Sequence, residues 1–279
     1  MTSAPPTVLH RLGPARMQVA ELGAGPRVVL VHGGGTGGLA SWHMQTPLAA
    51  RWRLVAPSRP GYGESPTDTG EDFLAHAGPI AELLESGAHL VGHSYGAIVS
   101  LLAAAQRPDA VRSLTLIEAA SSSIARGQPG VDDYERRMGA IARNPPADPD
   151  ELLRRVFGIL DPGVLLPSPA PAPLLQWAAR ISSFRWPWEA EVPVQALRAG
   201  GFPILAITGG ERAMYEEIAD ALADRLGAER AIVPASHAVQ NVGAPFNDVL
   251  ESFWRRAELR ARCEPSLLHA PTLTLSRPS

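Results

Sequence analysis

A serine set in the string Gly92, His93, Ser94, Tyr95, Gly96 is the residue of this chain best placed to do chemistry. The run before it (Ala88, His89, Leu90, Val91) is short and apolar enough for a buried strand. The run after it (Ala97 to Ala105, with Ile98, Val99, Leu101 and Leu102) favours a helix. A strand that turns sharply into a helix at Ser94 forces the serine into a strained backbone conformation and leaves its hydroxyl exposed. Side chains at positions 92 and 96 would collide with the neighbouring strand and helix, which is why glycine is needed at both. A serine hydroxyl attacks only after a base takes its proton, and a third group must hold that base in one tautomer. His237 qualifies as the base because it follows the strand-like Ala231 to Val233 on a loop at the sheet edge where the serine turn also opens. His32 and His93 adjoin the site but lie on strand ends, where a structural role fits better. His89 and His93 have i, i+4 spacing on a strand rather than a helix, which does not make a metal pair.

The elements that must position these groups alternate along the chain. Residues 8–12 and 17–22 read as an N-terminal hairpin, and Arg27 to His32 as a β-branched strand running into Gly33, Gly34, Gly35, Thr36, Gly37 and Gly38. That glycine loop satisfies the dinucleotide fingerprint, but the next strand, Leu54 to Ala56, ends in Pro57 and Ser58 with no acidic residue for a ribose. The second reading suits Ser94 better: bare backbone N–H groups that approach a negatively charged oxygen closely. Residues 71–86 read as helix with Pro79 starting a second segment, Val111 to Ile117 as a buried strand ending at Glu118, and Pro203 to Thr208 as another. A helix follows from about Glu211 to Leu226, and residues 246–261 make a closing amphipathic helix with Phe246, Val249, Leu250, Phe253 and Trp254 facing inward. Strands alternating with helices at this spacing imply an α/β fold, a mostly parallel sheet with helices on both faces. Residues 121–200 break the rhythm with proline, arginine and helical patterns, for example Leu152, Leu153, Val156, Phe157 and Leu160 on one face. They are expected to form a helical cap over the carboxyl ends of the strands, inserted into a core of residues 1–120 and 201–263. Trp177, Phe184, Trp186 and Trp188 are candidates for the substrate cavity wall, with the core of the cap itself as the alternative place for each. The tail 264–279 has no periodicity and is expected to pack loosely.

Composition removes whole classes of chemistry. The formal net charge of -3 over 279 residues argues against nucleic acid as the main partner. All 25 basic residues are arginine, so Schiff-base, pyridoxal-phosphate and P-loop chemistry, which need a lysine, are excluded. One cysteine, Cys263, allows neither an intramolecular disulfide nor a thiolate metal cluster. Met1 to Pro6 carry no basic segment followed by an apolar stretch, and no run is long enough to span a bilayer, so the expectation is a soluble cytoplasmic protein without a membrane partner. A homodimer is compatible with all of this.

The pattern as a whole resembles the α/β-hydrolase superfamily over most of residues 8–260. The resemblance is carried by His32-Gly33-Gly34, Trp42, the Arg59-Pro60-Gly61-Tyr62-Gly63-Glu64-Ser65 turn, the Gly92-to-Gly96 elbow, the Pro203 strand and the His237 loop. It implies an eight-stranded sheet with the cap after strand 6. It also implies a site in which the backbone N–H groups of Gly34 and Tyr95 form the oxyanion hole and Gly35, Trp42, Trp177, Trp186 and Trp188 meet the substrate. Two departures stand out: Ser58 replaces a common Asp, and Arg212 stands where the acid usually follows strand 7. Some members place the acid at the end of strand 6, where this chain has Glu118. Glu118 is preferred to Glu211 because a strand end fixes a carboxylate better than a helix start, where Glu211 could simply favour the dipole. The activity implied is acyl transfer to water from a small-molecule ester or lactone, with no metal or organic cofactor. Carbon–carbon bond hydrolysis, a cofactor-free biosynthetic reaction and a non-catalytic small-molecule receptor are the alternatives on the same scaffold. A serine at position 94 argues against the dehalogenase and epoxide-hydrolase branches, which use aspartate.

Overall fold

The computed structural model describes residues 7–12, 15–66 and 70–263; the C-terminal segment 264–279 lies outside the described residues. Strands β1 (Thr7–Leu12) and β2 (Ala15–Leu22) form an antiparallel hairpin. Then come β3 (Arg27–Val31), β4 (Arg53–Ser58), helix α1 (Phe73–Glu82), β5 (Ala88–His93), α2 (Tyr95–Gln106) and β6 (Val111–Ile117). Helices α3 (Pro129–Arg143), α4 (Pro149–Leu160), α5 (Ala172–Ala178) and α6 (Val194–Ala199) separate β6 from β7 (Ile204–Thr208). The chain closes with α7 (Ala213–Leu226), β8 (Glu229–Ile232) and α8 (Ala244–Cys263).

The strands lie in one sheet in the order β1-β2-β4-β3-β5-β6-β7-β8. β2 pairs antiparallel with β4, and every pair from β4 to β8 is parallel. Because β3 has β4 on one side and β5 on the other, the strand order reverses there, and ligands of open α/β sheets bind outside the carboxyl ends at such a point. Parallel pairing also brings the loops after β3, β5, β6, β7 and β8 to the same edge.

A strand buried on both faces needs no polar alternation, and β3 shows why. Val28 and Leu30 join a core with Trp42, Trp52, Phe246, Leu250, Phe253 and Trp254, while Val29 and Val31 join the opposite core with Leu90, Ala97 and Ile98. The first core rests on α8, whose apolar stripe falls where the periodicity predicts, with Val249 half-buried at its margin. Two local readings change. Pro79 lies inside α1 rather than opening a second segment. Gly38 to Ala50, for which the sequence pattern suggests no element, forms consecutive 3-10 turns with a break at Trp42.

Within the insertion, Asp148 caps α4 by accepting from the Asp150 N–H, and Leu152, Leu153, Val156 and Ile159 are buried. α3 packs on both α4 and α7, and α4 packs on α5. α6 packs on α2 and α7, so the last helix before β7 belongs to the flank of the sheet.

Candidate active site

Ser94 has φ 52° and ψ −120°, a conformation that L-residues rarely adopt, at the junction of β5 and α2. The flanking glycines are a steric requirement: a Cβ on Gly96 would stand 2.3 Å from the His32 carbonyl oxygen, and one on Gly92 2.6 Å from that of Gly96. β6 braces the turn, since the Ser94 N–H donates to Ile117 O at 2.9 Å and the Ala120 N–H donates to Ser94 O at 3.2 Å.

His237 Nε2 lies 3.0 Å from Ser94 Oγ, and its Nδ1 lies 3.4 Å from Glu118 Oε2. Once Glu118 is ionised, its carboxylate at Nδ1 assigns the proton to that nitrogen, which leaves Nε2 free to accept from the serine. Three further groups fix His237, one at its ring and two at its backbone. The Tyr215 ring stacks on it at 4.9 Å and 14°. His93 Nε2 donates to the His237 carbonyl oxygen at 3.0 Å, and Asp161 Oδ2 accepts from the His237 N–H at 3.3 Å. His93 thus has the structural place its position suggests. Asp161 and Tyr215 carry no local signal. Asp161 follows the last residue of α4, 76 residues from His237, and Tyr215 reads as an ordinary inward position of α7.

Glu118 also has a positive φ, 44°, and is buried. Its N–H donates to Ile207 O at 2.9 Å and its Oε1 accepts from the Gly209 N–H at 2.7 Å, so β7 holds the residue at both ends. Burial pushes the Glu118 carboxyl up to about 8, against the Gly209 hydrogen bond and with help from the charges of Glu216 and Asp161. Burial lowers the His237 imidazole to about 4; Asp161 opposes this and Arg212 adds to it. Glu211 is exposed and lines a separate groove with Asp133 and Arg137, away from Ser94. Arg212, which stands where the acid usually follows strand 7, donates to Ile159 O at 2.6 Å and so clasps the end of α4.

A cavity of about 400 Å³ opens above Ser94, floored by Gly33, Gly34, Gly35, Tyr95 and His237. The insertion supplies its apolar wall, including Met138, Phe157, Leu160, Leu174, Trp177 and Trp186. The glycine loop has no room for side chains against that wall. A Cβ on Gly34 would meet the Trp177 ring at 3.0 Å, and one on Gly35, where φ is 89°, would meet Leu174 at 2.7 Å. Two expected substrate contacts are corrected. Trp42 is fully buried in the α8-side core, across the sheet from the insertion's hydrophobic cluster. Trp188 does not line the cavity; it stacks on the back of Trp186 at 5.1 Å and 5° and meets Tyr134 edge-on. Among the described residues, no cluster of three or more His, Cys, Asp or Glu could hold a metal ion, and no helix is long and apolar enough to cross a membrane.

Residues 28–249 match the alpha/beta hydrolase family. The chain belongs to that family. Among curated members, it is 36% identical over 119 residues to the pimeloyl-[acyl-carrier protein] methyl ester esterase of Aeromonas salmonicida, covering 41% of this chain and 46% of that protein. It is 40% identical over 112 residues to the enzyme of the same name from Methylococcus capsulatus, covering 39% and 44%. The chain thus spans less than half the length of these two esterases. A 2-hydroxy-6-oxo-2,4-heptadienoate hydrolase of Pseudomonas putida matches at 32% over 184 residues, covering 58% of this chain and 67% of that one. Among solved structures, a loop variant of a haloalkane dehalogenase from Bradyrhizobium elkanii superposes with a TM-score of 0.67 at 20% identity, covering 92% and 98%. This last likeness is one of fold alone. The alpha/beta hydrolase core is what the chain shares with all of them.

Proposed function

We propose that this alpha/beta hydrolase is a serine hydrolase that cleaves carboxylic esters or lactones of small to medium, neutral, largely apolar substrates. The observation that carries the proposal is the 3.0 Å contact of His237 Nε2 with Ser94 Oγ, held on a strained elbow. In the proposed reaction His237 takes the Ser94 proton as Oγ attacks the carbonyl carbon, and the carbonyl electron pair moves onto oxygen. The Tyr95 N–H, left without an intrahelical partner at the start of α2, and the Gly34 N–H receive that charge. His237 then gives its proton to the leaving alcohol. Water repeats the sequence on the acyl-serine, with Glu118 supporting the imidazolium in both halves. The insertion acts as the cap that walls the acyl group.

The substrate class follows from the cavity's charge. Among the described residues, Glu71 is the only Asp, Glu or Arg in the lining, and its two carboxylate oxygens are taken by Arg59 and by the Tyr62 hydroxyl at 2.7 Å. The chain contains no lysine. An anionic end group would therefore be desolvated there with neither an arginine nor a lysine in the described lining to pair with it. This favours neutral esters, in keeping with the methyl ester named for two relatives, over carbon–carbon cleavage of a dienoate such as the third relative's name describes.

The test is a panel of aryl esters and lactones of increasing acyl size, with a dienoate included, assayed with wild type and Ser94→Ala. Ester turnover that disappears with Ser94 supports the proposal. Dienoate cleavage without ester turnover transfers it to the carbon–carbon reading, and tight ligand retention without turnover to the receptor reading.

A further inference from the structure

The glycine loop contributes its proposed oxyanion donor, the Gly34 N–H, through the peptide it shares with the Gly33 carbonyl. A trans peptide is planar, so its N–H and C=O point in opposite directions, and whatever fixes the carbonyl aims the N–H. Two buried donors fix it: Arg59 Nη2 at 2.8 Å and His32 Nδ1 at 2.7 Å. Both acceptor directions of the Gly33 oxygen are thereby used. His32 is held in that tautomer because its Nε2 accepts from the Arg59 backbone N–H at 2.9 Å.

Arg59 itself is fully buried, and each part of its guanidinium has a use. Nε donates to His32 O at 3.0 Å, and Nη1 pairs with Glu71 Oε1 and approaches His76 Nδ1 at 3.2 Å. The plane is bracketed by the Tyr62 and Tyr95 rings, 4.9 and 5.1 Å from the guanidinium carbon. Glu71 is fixed in turn by Tyr62, and its backbone carbonyl accepts from the Arg185 N–H of the insertion at 2.9 Å.

We infer that Arg59 and Glu71 are positioning residues that set the Gly33–Gly34 peptide as one arm of the oxyanion hole, and that they tie this arm to the insertion through Arg185. The inference rests on the serine-hydrolase proposal above. Its chemical content is that a cation on the far side of the peptide polarises the Gly34 N–H toward the developing oxyanion. A planar fork is required to reach the Gly33 and His32 carbonyls and Glu71 together, which an ammonium cannot do.

The test uses Glu71→Gln, which keeps shape and an acceptor but removes the charge, and Arg59→Lys. Each is compared with wild type and Ser94→Ala for ester kcat and KM, and for binding of a trifluoromethyl ketone and of the matching unreactive amide. The ketone forms a Ser94 Oγ–carbon bond while its carbonyl pair becomes an oxyanion and the Ser94 proton passes to His237, so it reads the hole directly. The amide reads ground-state binding. A folded Glu71→Gln is expected to lose about 10- to 100-fold in kcat and in ketone affinity, with KM and amide affinity within twofold. Unchanged kcat and ketone affinity would overturn the inference, and so would a parallel loss of amide affinity, which marks a merely structural role. Should Arg59→Lys not fold, Glu71→Gln decides alone. Wild type that forms no Ser94-dependent ketone adduct removes the serine-hydrolase proposal itself, an outcome distinct from an adduct that Glu71→Gln leaves untouched.

Discussion

Glu118 and His237 carry opposite shifts, and on the proposed mechanism these set the expected dependence of activity on pH. Burial raises the carboxyl to about 8 and lowers the imidazole to about 4, so near neutrality the pair retains one proton, on Glu118. A protonated Glu118 leaves His237 with the wrong tautomer for Ser94. Loss of that shared proton yields carboxylate plus neutral imidazole, the form competent to accept from serine. Ester kcat/KM is therefore expected to rise with pH and level off above about 8, and Glu118→Gln to abolish that limb while lowering kcat by a factor on the order of 10³ to 10⁴. Glu211→Gln should leave both within twofold, and the reverse ranking would reassign the acid. The same burial has a cost to the fold. A carboxyl whose folded pKa exceeds the unfolded value of 4.5 binds its proton more tightly when folded, so its contribution to stability falls as pH rises from 4.5 to 8. His237 has the opposite sign only between about 4 and 6.5, where the folded state resists protonation. Urea unfolding should find Glu118→Gln more stable than wild type by about 1–3 kcal/mol at pH 8 and indistinguishable from it at pH 4.

The elbow is the element on which most of the site depends, and its glycines offer a sharp check. A Cβ at position 96 meets the backbone oxygens of His32 and Val31, at the end of β3, at 2.3 and 2.5 Å, and no side chain can move aside to relieve them. Gly96→Ala is expected to cost about 1–3 kcal/mol in urea unfolding and to displace Ser94 enough to lower kcat at least 100-fold. This element was legible in the sequence because its pattern is local: a strand, a helix, and glycine at the two positions where a Cβ would clash. The His237 loop and the strand-end Glu118 were legible for a related reason, since parallel strands bring their carboxyl ends to one edge whatever the side chains do. Trp42 was misplaced because an aromatic residue beside a glycine loop can turn to either face of the sheet. The choice was made by the 3-10 turns from Gly38 to Ala50, which have no periodicity to read. Asp161, Tyr215 and the packing of Trp188 behind Trp186 depend on how the insertion docks, and no short-range pattern encodes docking.

At the scale of the whole molecule, the proposed reacting groups and the cavity wall come from different parts. Ser94, Glu118 and His237 follow strands β5, β6 and β8, whereas Trp177, Phe157 and Leu174 sit on helices between β6 and β7. Trimming the wall should therefore alter selection without altering chemistry. Trp177→Ala is expected to shift the ratio of kcat/KM for long over short acyl esters by about 10-fold toward the longer, with kcat on the short ester held within threefold. The bonds that hold the reacting groups, Ser94 N–H to Ile117 O and Glu118 N–H to Ile207 O, run between neighbouring central strands of one sheet. Of the wall helices, α5, which carries Trp177 and Leu174, has only seven residues, and the segment from Asp161 to Pro171 that joins α4 to α5 carries Leu165 at 94% exposure. Such a partition sets the order in which amide protons exchange with deuterium. Those of α4 and α5 should exchange by local opening, and those of β5 and β6 only with global unfolding. On warming, the protein would become promiscuous before it became inactive.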